Sequence, residues 1–174
     1  MTTTHQTGIV QPGAGRPIAG MGARAIVPSR AFEGRLFIFE GTLEPGAFIP
    51  PHTHTNEDEV TALVSGELTI DLGGQVSTAT AGAFLIKPRG VHHSMWNHTD
   101  RPAQVLEIHT PGGLEPYYDA LGELFAVPDL GDSEREAAIA ELHAQYGIVY
   151  HADLIPEVVT TDGRRPSRAR HGRS

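Results

Sequence analysis

The sequence of 174 residues contains no cysteine. This absence excludes disulfide bonds, thiolate zinc sites and iron–sulfur clusters, so any metal ion must bind to nitrogen and oxygen atoms. Long apolar runs are also missing, and the first residues, MTTTHQTGIVQPGAGRP, lack the apolar centre of a signal peptide. We therefore expect a cytoplasmic protein in a reducing compartment, without a membrane partner.

Basic residues are few and unevenly distributed. The formal net charge is −8, although the last eleven residues, 164–174, hold five arginines and no acidic residue. The acidic remainder of the chain would repel nucleic acid, so we expect no nucleic-acid partner. We expect residues 160–174 to form a disordered, solvated basic tail. The only lysine, Lys87, stands against twelve arginines, which we interpret as codon bias rather than function.

The chain divides into segments of different composition. Residues 1–30 are rich in glycine and proline with few apolar anchors, which predicts a flexible N-terminal arm that drapes over the body or over a partner subunit. Residues 31–113 consist of about eight short runs of β type separated by turn signals such as Gly73-Gly74. Because no helices are interleaved, these runs predict an all-β antiparallel sandwich or barrel. Residues 114–159 change to helical periodicity and predict helices packed on that barrel.

Four residues in the β region form a candidate metal site. His52 and His54 are two residues apart, so in a strand both imidazoles lie on one face. Glu59 begins the next apolar strand, and His93 begins a strand after the turn at residues 88–90. Three imidazoles and a carboxylate suit iron(II), manganese, nickel, copper, cobalt or zinc, and are too rich in nitrogen for calcium or magnesium. On an octahedral ion, such a set leaves two positions open.

Several neighbouring residues have more than one interpretation. Glu57 and Asp58 compete with Glu59 as the carboxylate, but they precede the strand and are interpreted as solvated turn residues. His92 alternates with His93 and is expected to face away from the site. Glu107 and His109 share a face that we expect to be exposed, with Leu106 and Ile108 filling the barrel.

The lining of the barrel is also open to two interpretations. Some large apolar residues could form a pocket wall or only fill the core: Phe37, Phe39, Phe48, Phe84, Met95 and Trp96. Of these, Met95 shares its face with His93, and Trp96 is expected outside the pocket. Tyr117 and Tyr118 could cover the mouth of the barrel, although ordinary helix packing is the simpler interpretation.

The same residues carry a family resemblance. Residues 46–66 follow the pattern G(x)5HxH(x)4E(x)6G, and residues 82–97 follow G(x)5PxG(x)2H(x)3N. Both patterns are complete, and together they resemble the two motifs of cupins, in particular small single-domain bacterial ones. The resemblance implies a double-stranded antiparallel β-helix, or jelly-roll barrel, with a short C-terminal helical extension here. It also implies that His52, His54, Glu59 and His93 are the metal ligands, and that homodimers are frequent.

The function is inferred from the site and the resemblance together. The stretches PPHTHTNEDEV and KPRGVHHSMWN are similar to cupins of the quercetin dioxygenase-like group. This similarity implies a dioxygenase or related oxidoreductase, with Fe(II) favoured, that reacts a small aromatic or enolic substrate with dioxygen. Glu59 would be both metal ligand and catalytic proton acceptor. Two alternatives remain: a non-redox isomerase, epimerase or cyclase of secondary metabolism, and a non-catalytic binding or sensing cupin.

Overall fold

The computed structural model describes residues 8–128 and 130–155. The strands in these ranges are β1 (Arg16–Ile18), β2 (Ala23–Val27), β3 (Phe37–Leu43), β4 (Phe48–His54), β5 (Asp58–Ser65), β6 (Glu67–Leu72), β7 (Gln75–Thr80), β8 (Phe84–Lys87), β9 (His93–Trp96), β10 (Ala103–Thr110) and β11 (Ile148–Tyr150). The helices are α1 (Glu115–Ala126) and α2 (Asp132–Tyr146). The predicted β runs correspond to β3 through β10.

The strands form two antiparallel sheets. The larger sheet has the order β1-β2-β3-β10-β5-β8, and the smaller has the order β11-β4-β9-β6-β7. Alternate residues of β5 are buried, namely Glu59, Thr61 and Leu63, as the two-residue period of a strand requires. The expected all-β architecture with two C-terminal helices is confirmed.

The apolar core has two parts. One contains residues of both sheets, among them Leu63 and Val105 of the larger sheet and Leu68 of the smaller one. The other joins Phe37 and Phe39 of β3 to α1, α2 and β11. The helices therefore pack on one end of the two-sheet body.

The N-terminal segment departs from the loose arm expected over residues 1–30. Within it, β1 pairs with β2, and β2 pairs with β3, so that both strands extend the larger sheet. Ile18, Ala23 and Ala25 are buried in the core beside the helices. The expectation is wrong for these strands because three small or medium apolar side chains are enough to anchor them once a sheet edge and a helix are present.

The C-terminal segment returns to the barrel. Gly147 ends α2 in the left-handed conformation, with φ of 69°. The chain then forms β11, which pairs with β4 so that Ile148 lies opposite His54 and Tyr150 opposite His52. No helix in the described ranges is long and apolar enough to cross a membrane. The expected basic tail, residues 160–174, lies outside the described residues.

Candidate metal centre

The four predicted ligands come from both sheets and meet between them. His52 and His54 lie on β4, and His93 lies on β9, directly opposite His52 in the register of the smaller sheet. Glu59 lies on β5 of the larger sheet. One donor atom from each of the four lies within 4.8 Å of the others. This group could therefore hold a single metal ion.

The donor atoms point towards each other without satisfying each other. Oε2 of Glu59 lies 3.3 Å from Nε2 of His54 and 3.1 Å from Nε2 of His93. Nevertheless, Oε2 of Glu59 and Nε2 of His93 are buried without a hydrogen-bond partner in the described part of the chain. Buried polar atoms normally have partners. Converging lone pairs of this kind are what a cation would satisfy.

Two of the histidines are oriented by backbone carbonyl groups. Nδ1 of His52 lies 2.8 Å from the carbonyl oxygen of Pro50, and Nδ1 of His93 lies 3.1 Å from that of Val91. Because a carbonyl oxygen only accepts, each Nδ1 must carry the proton and each Nε2 is left with a lone pair. This is the tautomer that metal ligation by Nε2 requires.

The electrostatics of the group separate one histidine from the others. Burial and the neighbouring imidazoles lower the pKa of His52, and burial also lowers that of His93. Burial opposes the charge of His54 too, but the carboxylates of Glu57 and Glu59 outweigh it and raise the pKa of His54 to about 9. Burial is likewise outweighed at Glu59, whose pKa is lowered by Lys87 and the surrounding histidines. Glu59 is therefore an anion at neutral pH.

Lys87 belongs to the site, which corrects its interpretation as codon bias. Its Nζ donates to Oε1 of Glu59 at 2.5 Å and to Oε2 of Glu107 at 3.2 Å. The hydroxyl of Thr61 donates to the same oxygen of Glu107 at 2.7 Å. Burial opposes the charge of Lys87, but the two carboxylates outweigh it and raise its pKa. The signal available in the sequence was that the only lysine of the chain lies within a predicted β run.

Glu107 and His109 are buried, so the expectation that they are exposed is wrong. Their exposed fractions are 3% and 0%, and Nε2 of His109 lies 3.1 Å from the hydroxyl of Tyr118. Burial raises the pKa of Glu107, although Lys87 opposes this, and burial lowers the pKa of His109 to about 3. Polar partners supplied by β5, β8 and α1 make this face of β10 the inner one, which alternation alone could not decide.

Of the residues next to the candidate ligands, Glu57 differs from its expected surroundings, whereas Asp58 and His92 agree with theirs. Glu57 is 6% exposed, with Oε2 3.6 Å from Nδ1 of His54, so it is not the solvated turn residue expected. Asp58 is partly exposed and pairs with Arg89 at 2.7 Å. His92 lies away from the candidate ligands, 4.0 Å from Asp71, which confirms that it faces away.

The aromatic residues considered for a pocket wall have different surroundings. Phe37 and Phe39 pack against His109 and Tyr118, with 4.7 Å between the ring centres of Phe39 and Tyr118. Phe84 is 68% exposed and cannot line an inner pocket. The remaining candidates differ too: Met95 is buried in the core between the sheets, while Trp96 is buried outside both core clusters and packs 6.3 Å from Phe48. Tyr118 covers the helical side of the barrel next to the site, because its ring packs against Phe39 and His109.

The central part of the chain is similar to a known protein family. Residues 39–109 match the family model described as "Cupin domain". Over 69 residues the chain is 35% identical to Germin-like protein 5-1 of Oryza sativa subsp. japonica; the match covers 36% of this chain and 30% of that protein. The chain thus spans under a third of the length of this relative.

One solved structure supports the fold at low sequence identity. A predicted oxalate decarboxylase from Thermotoga maritima superposes with a TM-score of 0.55 and 19% identity, over 59% of this chain and 98% of that one. KdgF from Halomonas sp. gives a TM-score of 0.49 and 18% identity, over 54% and 81%. At 19% identity the likeness to the Thermotoga maritima protein concerns the fold alone. The grouping with quercetin dioxygenase-like proteins stays a prediction.

Proposed function

We propose that this chain is a metal-dependent dioxygenase or related oxidoreductase, because residues 39–109 match the family model described as "Cupin domain" and contain a three-histidine, one-glutamate group. Its substrates would be a small aromatic or enolic compound and dioxygen. The observation that carries the proposal is that Oε2 of Glu59 and Nε2 of His93 converge beside Nε2 of His54, and that these two atoms are buried without a hydrogen-bond partner among the described residues. Leaving a carboxylate oxygen buried and unpaired costs free energy, which a bound cation would offset.

The donor set decides which chemistry a bound ion would supply. Three nitrogens and one carboxylate oxygen suit Fe(II), which we favour, as well as manganese, nickel, copper, cobalt or zinc. Such an ion would supply Lewis acidity and, for iron, redox chemistry at two open positions. The chain's own part is to present Nε2 of His52 and His93 in the correct tautomer and to keep Glu59 ionised. His52 is the most exposed of the four, so we place substrate entry on its side.

Glu59 would have a second role as proton acceptor from an enolic or phenolic hydroxyl. Its Oε1 is held by Lys87, so the carboxylate stays in one orientation while Oε2 faces the donors. A positioned base of this kind contributes about a hundred- to ten-thousand-fold to a rate.

A specific observation supports a second candidate, a non-redox isomerase, epimerase or cyclase that uses the same ion as a Lewis acid. Glu107 is buried and shares Lys87 with Glu59, and burial raises its pKa, which makes it a second carboxyl group available for acid–base chemistry beside the site. Such reactions need acid–base groups and no dioxygen.

The test is oxygen consumption by the reconstituted protein. Metal-free protein is loaded anaerobically with Fe(II), Mn(II) or Ni(II), mixed with phenolic and enolic compounds shown to bind, and transferred to an oxygen electrode. We expect uptake with at least one metal and substrate. Glu59→Gln should lower the uptake rate by about a hundredfold or more per bound metal. Glu44→Gln, at an exposed carboxylate, is the matched control and should leave it unchanged.

Other outcomes separate the alternatives. Product formed anaerobically, without oxygen uptake, would contradict the dioxygenase and support the Lewis-acid enzyme. A compound that binds every loaded form but is neither converted nor oxidised would support a binding or sensing cupin instead.

A further inference from the structure

The single lysine of the chain is buried between two carboxylates. The side chain of Lys87 is 2% exposed, and its Nζ contacts Oε1 of Glu59 and Oε2 of Glu107. Lysine is almost never buried completely unless it is paired, because an ammonium group loses its hydration. Because Lys87 forms ion pairs with two buried carboxylates, its ammonium group is a specific component of the protein interior.

Backbone register places these residues together. Lys87 lies directly opposite Glu59 in the pairing of β5 with β8. Glu107 lies directly opposite Thr61 in the pairing of β10 with β5. Three neighbouring strands thus direct a cation and two carboxylates to one point on the inner face, and Thr61 holds Glu107 with a hydrogen bond of 2.7 Å.

The two oxygens of Glu59 have different surroundings as a result. Oε1 accepts the hydrogen bond from Lys87, while Oε2 lies beside His54 and His93 without a hydrogen-bond partner among the described residues. A carboxylate free to turn can bind a metal ion with one oxygen or with both. An ammonium group on Oε1 prevents the second arrangement.

We propose that Lys87 is a positioning residue that restricts Glu59 to one-oxygen coordination, and that Glu107 partly offsets the charge of Lys87 next to the metal ion. The inference rests on the proposed metal site and deepens it. With one oxygen from Glu59, four donors leave two positions for substrate and dioxygen; with two oxygens, only one would remain. Lys87 would thereby decide how many molecules the centre can accept.

The test compares charge changes of opposite sign. Metal-free parent, Lys87→Met and Glu107→Gln are titrated with Mn(II) against a competing chelator. Removing a cation near a divalent ion should tighten binding, and removing an anion should weaken it, each by about tenfold even under the screening of water. A purely structural role would instead weaken binding in both variants. Arg89→Met removes an exposed cation two residues along the chain, which pairs with Asp58 at the surface, and should bind like the parent.

A second measurement on the same samples counts the open positions. Relaxation of water protons by bound Mn(II) reports exchangeable water on the ion. We expect Lys87→Met to lose water relative to the parent, because Glu59 then binds with both oxygens, and Glu107→Gln to keep the parental value. If Lys87→Met alone fails to fold, it is combined with Glu107→Gln, which removes both charges of the pair; relative to Glu107→Gln, this double variant should bind Mn(II) more tightly and lose water, and unchanged affinity overturns the inference.

The outcomes also separate this inference from the proposed function. Metal binding that weakens in both variants, or changes in neither, would overturn the role of Lys87 while leaving the metal site intact. A parent that binds no Mn(II) would overturn both. Affinity shifts of opposite sign in a parent that consumes no oxygen would uphold the role of Lys87 and refute the dioxygenase.

Discussion

The adjacent residues His92 and His93 show that a shift of one position along the chain changes which side of the sheet a side chain faces. His93 is 3% exposed and faces Glu59, with its Nδ1 held by the carbonyl of Val91. His92 is on the other side, 6.1 Å in ring separation from His151. The two adjacent imidazoles thus have different surroundings, because successive residues of an extended chain point to opposite faces.

This pair supplies a matched test of the metal site. His93→Ala removes one of three imidazole donors and should remove most of the bound metal, whereas His92→Ala should keep about one ion per chain. Elemental analysis after gel filtration measures both, and far-ultraviolet circular dichroism checks that the fold persists. Equal metal content in the two variants would contradict the assignment of His93 as a ligand.

At the scale of elements, helix α1 is fitted directly against the N-terminal segment. A Cβ atom added at Gly122 of α1 would overlap the carbonyl oxygen of Ala19, and one added at Gly20 would overlap the carbonyl oxygen of Gly122. Arg16 also pairs with Asp119 of this helix at 2.8 Å. The segment before β3 and the helix after β10 therefore form one packed unit, which explains why the expected loose arm is partly strand.

The close contact at Gly122 predicts that replacing this glycine by alanine changes stability in the direction opposite to that expected from helix propensity. Gly122→Ala would stabilise an isolated helix by about 1 kcal/mol, but in this protein we expect a loss of about 1–3 kcal/mol, because the added methyl group cannot fit without moving the backbone. Urea unfolding measures the change. Ala140→Gly, at an exposed position of α2, calibrates the propensity term in the same protein. A stabilised Gly122→Ala variant would show that α1 does not pack this closely.

At the scale of the molecule, the outer face of the larger sheet carries apolar side chains across four strands. Register places these residues in two rows: Ile38, Ile108, Val60 and Ile86 in one, and Leu106, Ala62 and Phe84 in the other. Ile86 is 69% exposed and Phe84 68%. Exposed apolar patches of this kind mark interaction sites.

We propose that this face meets the same face of a second copy in a homodimer. A two-fold interface needs a self-complementary surface, and two flat apolar rows with few charges provide one. Four strands about 4.8 Å apart with about six residues each give an apolar face of roughly 400 Å², which is about half of the roughly 800 Å² that each partner of a standard interface contributes.

The quaternary prediction is tested by light scattering at micromolar concentration. We expect about twice the chain mass of 18.7 kDa for the parent and the single-chain mass for Phe84→Glu combined with Ile86→Glu, because each added charge would be buried. Val149→Glu, at an exposed valine of β11, is the control and should stay dimeric. A monomeric parent would refute the homodimer, and a dimeric double variant would refute this face.

The sequence by itself determined the local features of this protein. Strand β5 and the pair His52 and His54 follow a period of two residues, which is a property of the extended backbone, so the shared faces follow from residue spacing alone. The turn glycines and the change to helical periodicity after residue 113 are equally local. For this reason the eight central strands, both helices and the shared face of His52 and His54 were predictable, whereas the full set of four candidate ligands was implied by the resemblance to cupins.

Only the tertiary structure decided which polar side chains become buried and what they contact. Lys87 meets partners 28 and 20 residues away in sequence, and Thr61 meets Glu107 at a separation of 46. Alternation states that Glu107 and His109 share a face, but not whether that face is inside, because both faces of β10 carry side chains that can be buried. The choice depends on the free energy of pairing charges supplied by other strands, and that pairing exists only after the sheets have come together.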